Sequence, residues 1–145
     1  MNMALAAAEQ AAGEDEVPVG AVVVRDGRVI AIGHNRREQN QDATGHAEID
    51  AIRAASEKIG SWRLEDCDLY VTLEPCLMCA GAIIQARIRR LLFGAFDPKS
   101  GMAGSIANVF ELPGNHHVDV TGGLLQERAG RMLSTFFRHK RNGDD

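Results

Sequence analysis

Aromatic residues and cysteines are both scarce in this chain of 145 residues, which has one Trp, one Tyr, five Phe and three Cys. An odd number of cysteines does not make a framework of paired disulfides, and no secretory segment accompanies them. Long apolar runs are missing as well, and none approaches the roughly 20 residues that a membrane helix needs. The opening residues 1–8 contain no basic side chain and run straight into Glu9 and Gln10, which is unlike a signal peptide. A cytoplasmic protein without membrane contact is therefore the expectation. Positive charge is not in excess either. The formal net charge is −4, which gives no direct hint of nucleic-acid binding. Internal repeats, low-complexity tracts and linkers are absent. What is present is ordinary for a globular protein, 45% hydrophobic and 25% charged residues, and the length predicts a single domain spanning residues 1–145.

The charge is unevenly placed. Glu14, Asp15 and Glu16 form an acidic run, whereas Arg87, Arg89, Arg90 and the group Arg138, His139, Lys140 and Arg141 are basic. Apolar periodicity then gives the elements. Residues 3–12 are rich in Ala and Leu and read as a helix. Residues 20–25 and 28–33 read as strands around the turn pair Asp26-Gly27, a strong hairpin signal. Residues 35–43 are polar and read as a loop. Thr44 suits an N-cap for a helix over residues 46–59, where Ile49, Ile52, Ala55 and Ile59 recur at steps of three and four. A strand over residues 68–73 follows, and Pro75 fits the first turn of a helix reaching about Ala86. Residues 90–95 form another strand, and 96–113 a Gly-punctuated connection with a short helical turn. A short strand spans 118–121. Leu125, Ala129, Met132, Leu133 and Phe136 mark one face of a final amphipathic helix. This order predicts an α/β fold, a five-stranded mixed sheet covered by helices on both faces, with an antiparallel hairpin and parallel crossovers.

The chemistry is concentrated in His46-Ala47-Glu48 and Pro75-Cys76-Leu77-Met78-Cys79. Cys76 and Cys79 are three apart at the start of a predicted helix, so their thiols share a face and feel the positive end of the helix dipole, which favours thiolates. His46 stands at the start of another helix. If the two helix starts converge at one sheet edge, His46, Cys76 and Cys79 supply three ligands to a zinc ion. A catalytic zinc site keeps its fourth position for water, acidified to about pKa 7. Glu48 reaches the space beside it as a proton shuttle. A structural zinc site would need a fourth ligand from Cys67, His34, His116 or His117, none of which has a convincing pair spacing. A redox dithiol would not need the upstream His-x-Glu. Cys67 reads as a small apolar filler.

H-x-E followed by P-C-x-x-C is the signature of zinc nucleobase deaminases. The resemblance extends much further: Glu16 to Val24, Asn35-Arg36, Trp62-Arg63-Leu64, Leu69 to Ala82, Phe93 to Gly101, Asn115-His116 and Phe136-Phe137-Arg138 follow in order. Over nearly its whole length the chain resembles the bacterial tRNA-specific adenosine deaminases; cytidine, deoxycytidylate and guanine deaminases share only the zinc motif. The resemblance implies a three-layer α/β/α cytidine-deaminase-like fold, a homodimer, one zinc ion per subunit, and hydrolytic conversion of the wobble adenosine of an ACG-anticodon arginine tRNA to inosine. It implies His46, Cys76 and Cys79 as zinc ligands and Glu48 as proton shuttle. It further implies that the Ala47 N–H orients the reacting base and Asn35 contacts the flipped nucleotide. Asp97 and Lys99 would lie along the anticodon-loop groove, with the segment containing Phe137 and Arg138 beside it. A single-stranded loop offers an unstacked base at low cost. A guanine or nucleoside deaminase is the alternative enzyme, and an RNA-binding or structural zinc protein without turnover the alternative class. Three departures from the family stand out: Gly45 in place of the usual alanine, expected to loosen the turn before His46; a short first helix; and the ending Asn142-Gly143-Asp144-Asp145 in place of a basic tail, expected to weaken RNA affinity.

Overall fold

Among the described residues, hydrogen-bonding patterns and apolar faces resolve into five strands and four α-helices. The structure is a computed structural model that describes residues 1–143; Asp144 and Asp145 of the acidic ending lie outside the described residues. The elements are α1 (Asn2–Gly13), β1 (Gly20–Arg25), β2 (Arg28–His34), α2 (Ala47–Ile59), β3 (Cys67–Leu73), α3 (Leu77–Gln85), β4 (Arg90–Ala95), a 3-10 turn (Val109–Glu111), β5 (Asp119–Thr121) and α4 (Gln126–Arg141). The strand order is β2-β1-β3-β4-β5. β1 pairs antiparallel with both β2 and β3, and β3-β4 and β4-β5 are parallel. Asp26 and Gly27 turn the β1-β2 hairpin with φ of 50° and 73°, the double left-handed conformation that suits the strand twist. The chain then passes over β1, through α2, to reach β3. This crossover makes β2 and β3 run the same way with β1 between them.

Alternation along the strands sorts the side chains into two layers. Ala21, Val23, Leu69, Val71, Leu91 and Phe93 join Ala47, Ala51 and Ala55 of α2 and Ala80 and Ile83 of α3 in one core. On the opposite face α1 and α4 pack, where Leu5 and Ala129 form a smaller cluster with Ala95 at the very end of β4, and Met132 and Leu133 lie on it. The expected sheet with helices on both faces is the arrangement observed. The alanine stripe of α2 lets that helix lie close to the sheet, and Gly33 completes the seat. A Cβ at Gly33 would fall 2.5 Å from Ala51 N and 2.6 Å from Ala47 O, both backbone atoms.

Two helix starts differ from the sequence reading. Thr44 is not the cap of α2, which begins two residues later than that reading requires; its N–H and hydroxyl both donate to Asp42 Oδ1 at 2.9 and 2.7 Å. His46, with extended backbone, holds the N-cap position instead. Likewise Pro75 precedes α3 and Cys76 is its N-cap. In both helices the capping side chain is turned to other partners, so neither makes a side-chain cap hydrogen bond. Gly45 does not leave its turn slack: its N–H donates to Asp42 O and its carbonyl accepts from Arg36 N, both at 2.9 Å. None of the described helices is long and apolar enough to cross a membrane.

Candidate active site

β2 and β3 end at the same edge of the sheet, and the segments that leave them begin α2 and α3. This geometry brings His46 and the two cysteines together. His46 Nδ1 lies 3.6 Å from Cys76 Sγ and 3.5 Å from Cys79 Sγ. The three ligand atoms all lie within 4.8 Å of one another, the only such group among the described residues. Tetrahedral zinc with bonds of about 2.3 Å to sulfur and about 2.0 Å to nitrogen sets those atoms roughly 3.5 Å apart. The donors therefore fit the ion in both kind and spacing. The other conceivable ligands lie apart from this group. His34 is buried with Nδ1 3.2 Å from Asn35 O, while its Nε2, 3.5 Å from a Glu14 oxygen, has no hydrogen-bond partner among the described residues. His116 Nε2 is 2.6 Å from Ile88 O, and His117 pairs with Asp119. Cys67 is buried at the far end of β3, and burial, aided by the Asp66 charge, pushes its thiol up to about 11.

The protons of the ligand set are unevenly shared. A hydrogen bond with Cys79 pulls the Cys76 thiol down to about 4; burial opposes this and the His46 imidazole adds to it. The same hydrogen bond, with burial, pushes Cys79 up. His46 is raised by its hydrogen bond to Cys76. One sulfur is thus a ready thiolate, and a divalent cation entering the group would displace the remaining proton.

Beside these residues is a cleft of about 180 Å³ whose lining includes Val17, Asn35, Ala47, Glu48, Glu74 and Asp97. Glu48 is only 4% exposed, and burial pushes its carboxyl up to about 7 against the opposing pull of His46. A carboxyl with a pKa near neutrality can both accept and return a proton. Ala47 is the first residue of α2, so its N–H has no acceptor within the helix. Asn35 is held by its own amide, which donates to Val17 O at 3.2 Å and accepts from Arg37 N at 3.0 Å. Asp97 accepts from the backbone N–H groups of Lys99 and Ser100. The Lys99 side chain is exposed and outside the lining. Phe137 and Arg138 are exposed on α4 and also stand apart from the cleft. Their neighbours Phe136 and Lys140 instead line an adjoining recess together with Val17, Asn35 and Arg37.

Glu74 was not singled out by the sequence. It is 2% exposed and accepts from Asp97 N at 2.9 Å, from Ala103 N and Ser105 N at 3.0 Å each, and from the Ser105 hydroxyl. Burial favours its neutral form, but these donors, led by the Ser105 hydroxyl, outweigh it and hold the carboxyl below the usual range. The only sequence signal is its place in the Leu69 to Ala82 block, because every one of its partners is distant along the chain.

A family model of MafB19-like deaminases matches residues 1–141. A tRNA-specific adenosine deaminase of Agrobacterium fabrum is 52% identical over 145 residues, covering 99% of this chain and 95% of the relative. This chain belongs to the tRNA-specific adenosine deaminase family. A protein solved in a study of A-to-I editing by tRNA:A34 deaminases at the wobble position superposes with a TM-score of 0.89 and 51% identity, covering 92% of this chain and 97% of that one. A guanine deaminase from Nitrosomonas europaea is more distant, with a TM-score of 0.78 and 26% identity over 93% of this chain and 81% of that one. The deaminase fold described above is therefore shared with proteins acting on different purines, and specificity has to be sought in the cleft walls.

Proposed function

We propose that residues 1–145 form one domain that deaminates adenosine to inosine hydrolytically at the wobble position of an ACG-anticodon arginine tRNA. In this reading it works in the cytoplasm as a homodimer with one zinc ion per subunit. The observation that carries the reading is that His46, Cys76 and Cys79 have the spacing of a three-ligand zinc site, while Glu48 lines the cleft beside them. The likeness to tRNA adenosine deaminases at 51–52% identity, against 26% for the guanine deaminase, supports adenosine in tRNA over a free base.

His46, Cys76 and Cys79 would hold the zinc ion, which supplies an acidified water as nucleophile. Glu48 takes the proton released as oxygen bonds to C6 of adenine and delivers it to N1. It then takes the remaining proton from the hydroxyl on C6 and passes it to the amino group as the C–N bond breaks, which leaves the C6 carbonyl of inosine. Water and adenosine are consumed, and inosine and ammonia are formed. Burial, which favours the protonated form of Glu48, suits it to return the protons it takes. The Ala47 N–H and the Asn35 amide orient the flipped nucleotide. Asp97 and Lys99 follow the anticodon-loop groove, and Phe137 and Arg138 hold flanking nucleotides from its outer side.

The test is inosine formation in an ACG-anticodon stem-loop, beside a GCG control and free adenosine, guanine and cytidine. Conversion of the ACG loop alone is expected. Turnover of free guanine without turnover of the loop would overturn the substrate assignment. In the same preparation, His46→Ala and Cys76→Ala are expected to lose zinc, measured as metal per folded subunit; full retention in either would break the ligand set.

A further inference from the structure

The segment 97–105 that forms one wall of the cleft has its apolar anchorage in the middle, where Ala103 is buried in the core and Met102 packs against it with its N–H donating to Pro75 O at 2.9 Å. Its two ends have none of that kind: Phe96 and Ile106, which flank it, are each 51% exposed. Asp97 and Ser100 are the members that line the cleft. What ties both ends is one buried side chain. Glu74 Oε1 receives the Asp97 N–H and the Ser105 hydroxyl, and Oε2 receives the N–H groups of Ala103 and Ser105. Both ends of the segment are therefore tied to the same carboxylate. A second observation points the same way: a Cβ placed on Gly101 would lie 2.3 Å from Glu74 Cδ and 2.4 and 2.5 Å from its two oxygens. The segment wraps the carboxylate so closely that position 101 has no room for a methyl group.

We propose that Glu74 is a positioning residue that shapes this wall for RNA, holding Asp97 and Ser100 where the nucleotides flanking the reacting base must pass. The hydrogen-bond partners given above for Glu74 all belong to 97–105, so it acts through that segment. The proposal rests on the tRNA reading given above. Four donors converge on two oxygens, so an amide cannot replace the carboxylate. An NH2 group on the Oε2 side would point hydrogens at the Ala103 and Ser105 N–H groups, and on the Oε1 side at the Asp97 N–H, although there the Ser105 hydroxyl can turn to accept. Glu74→Gln therefore releases at least one end of the wall while keeping size and burial. Gly101→Ala displaces the carboxylate without changing its charge, and Ser105→Ala removes a single donor.

The experiment is steady-state kinetics on the ACG stem-loop, together with zinc content and amide hydrogen exchange at Asp97, Ala103 and Ser105. For Glu74→Gln and Gly101→Ala the proposal expects full zinc occupancy, with faster exchange at all three amides in Gly101→Ala and, in Glu74→Gln, at Asp97 or at the Ala103 and Ser105 pair. KM should rise about tenfold or more, with kcat changing less than about threefold. Ser105→Ala should move the same quantities in the same direction by less, and it keeps the test open if either stronger variant fails to fold. Wild-type KM with accelerated exchange would overturn the proposal, and so would a loss confined to kcat or to zinc content. A wild-type protein that makes no inosine refutes the tRNA reading instead. Binding of the stem-loop, wild type against Ser105→Ala, then decides the wall, with weaker binding supporting it and equal binding overturning it.

Discussion

Glu48 and Glu74 are both carboxylates, both buried, and both line the same cleft, yet they hold their protons in opposite ways. Burial dominates at Glu48 and takes it to about 7. At Glu74 burial pushes in the same direction, but three N–H groups and a hydroxyl reverse the outcome. Loss of solvent alone thus does not decide what a buried acid becomes; the number of aimed donors does. One region of the cleft is left short of donors and can trade a proton. The other is saturated with donors and can hold a loop. Two acids with divergent environments in one site are a frequent mark of divided roles.

The comparison breaks most visibly in turnover. Glu48→Gln should keep zinc and the fold but lower kcat by roughly 10²- to 10⁴-fold, the usual contribution of a positioned proton-transfer group. Glu74→Gln should leave kcat within a few-fold. Equal losses in the two variants, measured on one stem-loop substrate, would erase the distinction.

A smaller effect separates them in stability against pH, read as the urea midpoint of metal-depleted protein, where the environments are those described. Glu48 keeps its proton in the folded state up to about 7, whereas the unfolded chain releases it near 4.5. Its contribution favours folding below 4.5 and is lost as pH rises from there through 7, a change of a few kcal/mol at most. Glu74 has the opposite sign. Its folded carboxyl titrates below the unfolded value, so its contribution is present above 4.5 and is lost as pH falls. Glu48→Gln should therefore flatten the decline between 4.5 and 7, and Glu74→Gln should flatten the acid limb. Slopes altered in the same direction would contradict the assigned environments.

The smallest effect is expected in the recess beside the cleft. Glu16, 1% exposed, lines that recess and accepts from Glu38 N at 3.1 Å and Gln39 N at 2.6 Å, a lesser version of the Glu74 arrangement. Glu16→Gln should cost about 1–2 kcal/mol and speed amide exchange at residues 38 and 39 alone. Faster exchange spreading to residues 97–105 would show that recess and cleft wall are not independent.

These contrasts also explain how far the chain can be read without coordinates. The group of His46, Cys76 and Cys79 is legible because metal chemistry demands particular residue types at short spacings, and the hairpin is legible because Asp26-Gly27 is a local signal. Strand order is less so. A hairpin and two crossovers define which pairs run parallel, but nothing local says that α2 carries the chain past β1 to put β1 between β2 and β3. Helix starts slipped for a related reason: Thr44 has the chemistry of a cap, but it belongs to a turn with Asp42 and the N-cap position falls two residues further on, at His46. Glu74 escaped notice because its partners are backbone N–H groups 23 to 31 residues away, and backbone groups leave no mark in a sequence. On α4, Phe136 faces the recess beside the cleft while Phe137, one step around the helix, is exposed. The helical phase that separates them becomes visible only once the helix is laid on the sheet.

Gly33 carries no ligand atom and lies 13 residues before His46, yet it decides where His46 stands. Its missing side chain lets Ala47 O and Ala51 N settle against β2, and both belong to the helix that presents His46 and Glu48. Cys76 and Cys79 are carried by a different helix with no such seat at that position. Any side chain at residue 33 would lift one half of the site away from the other as a rigid piece, so an inactivating change there would look like a metal defect although no metal-binding group had been altered.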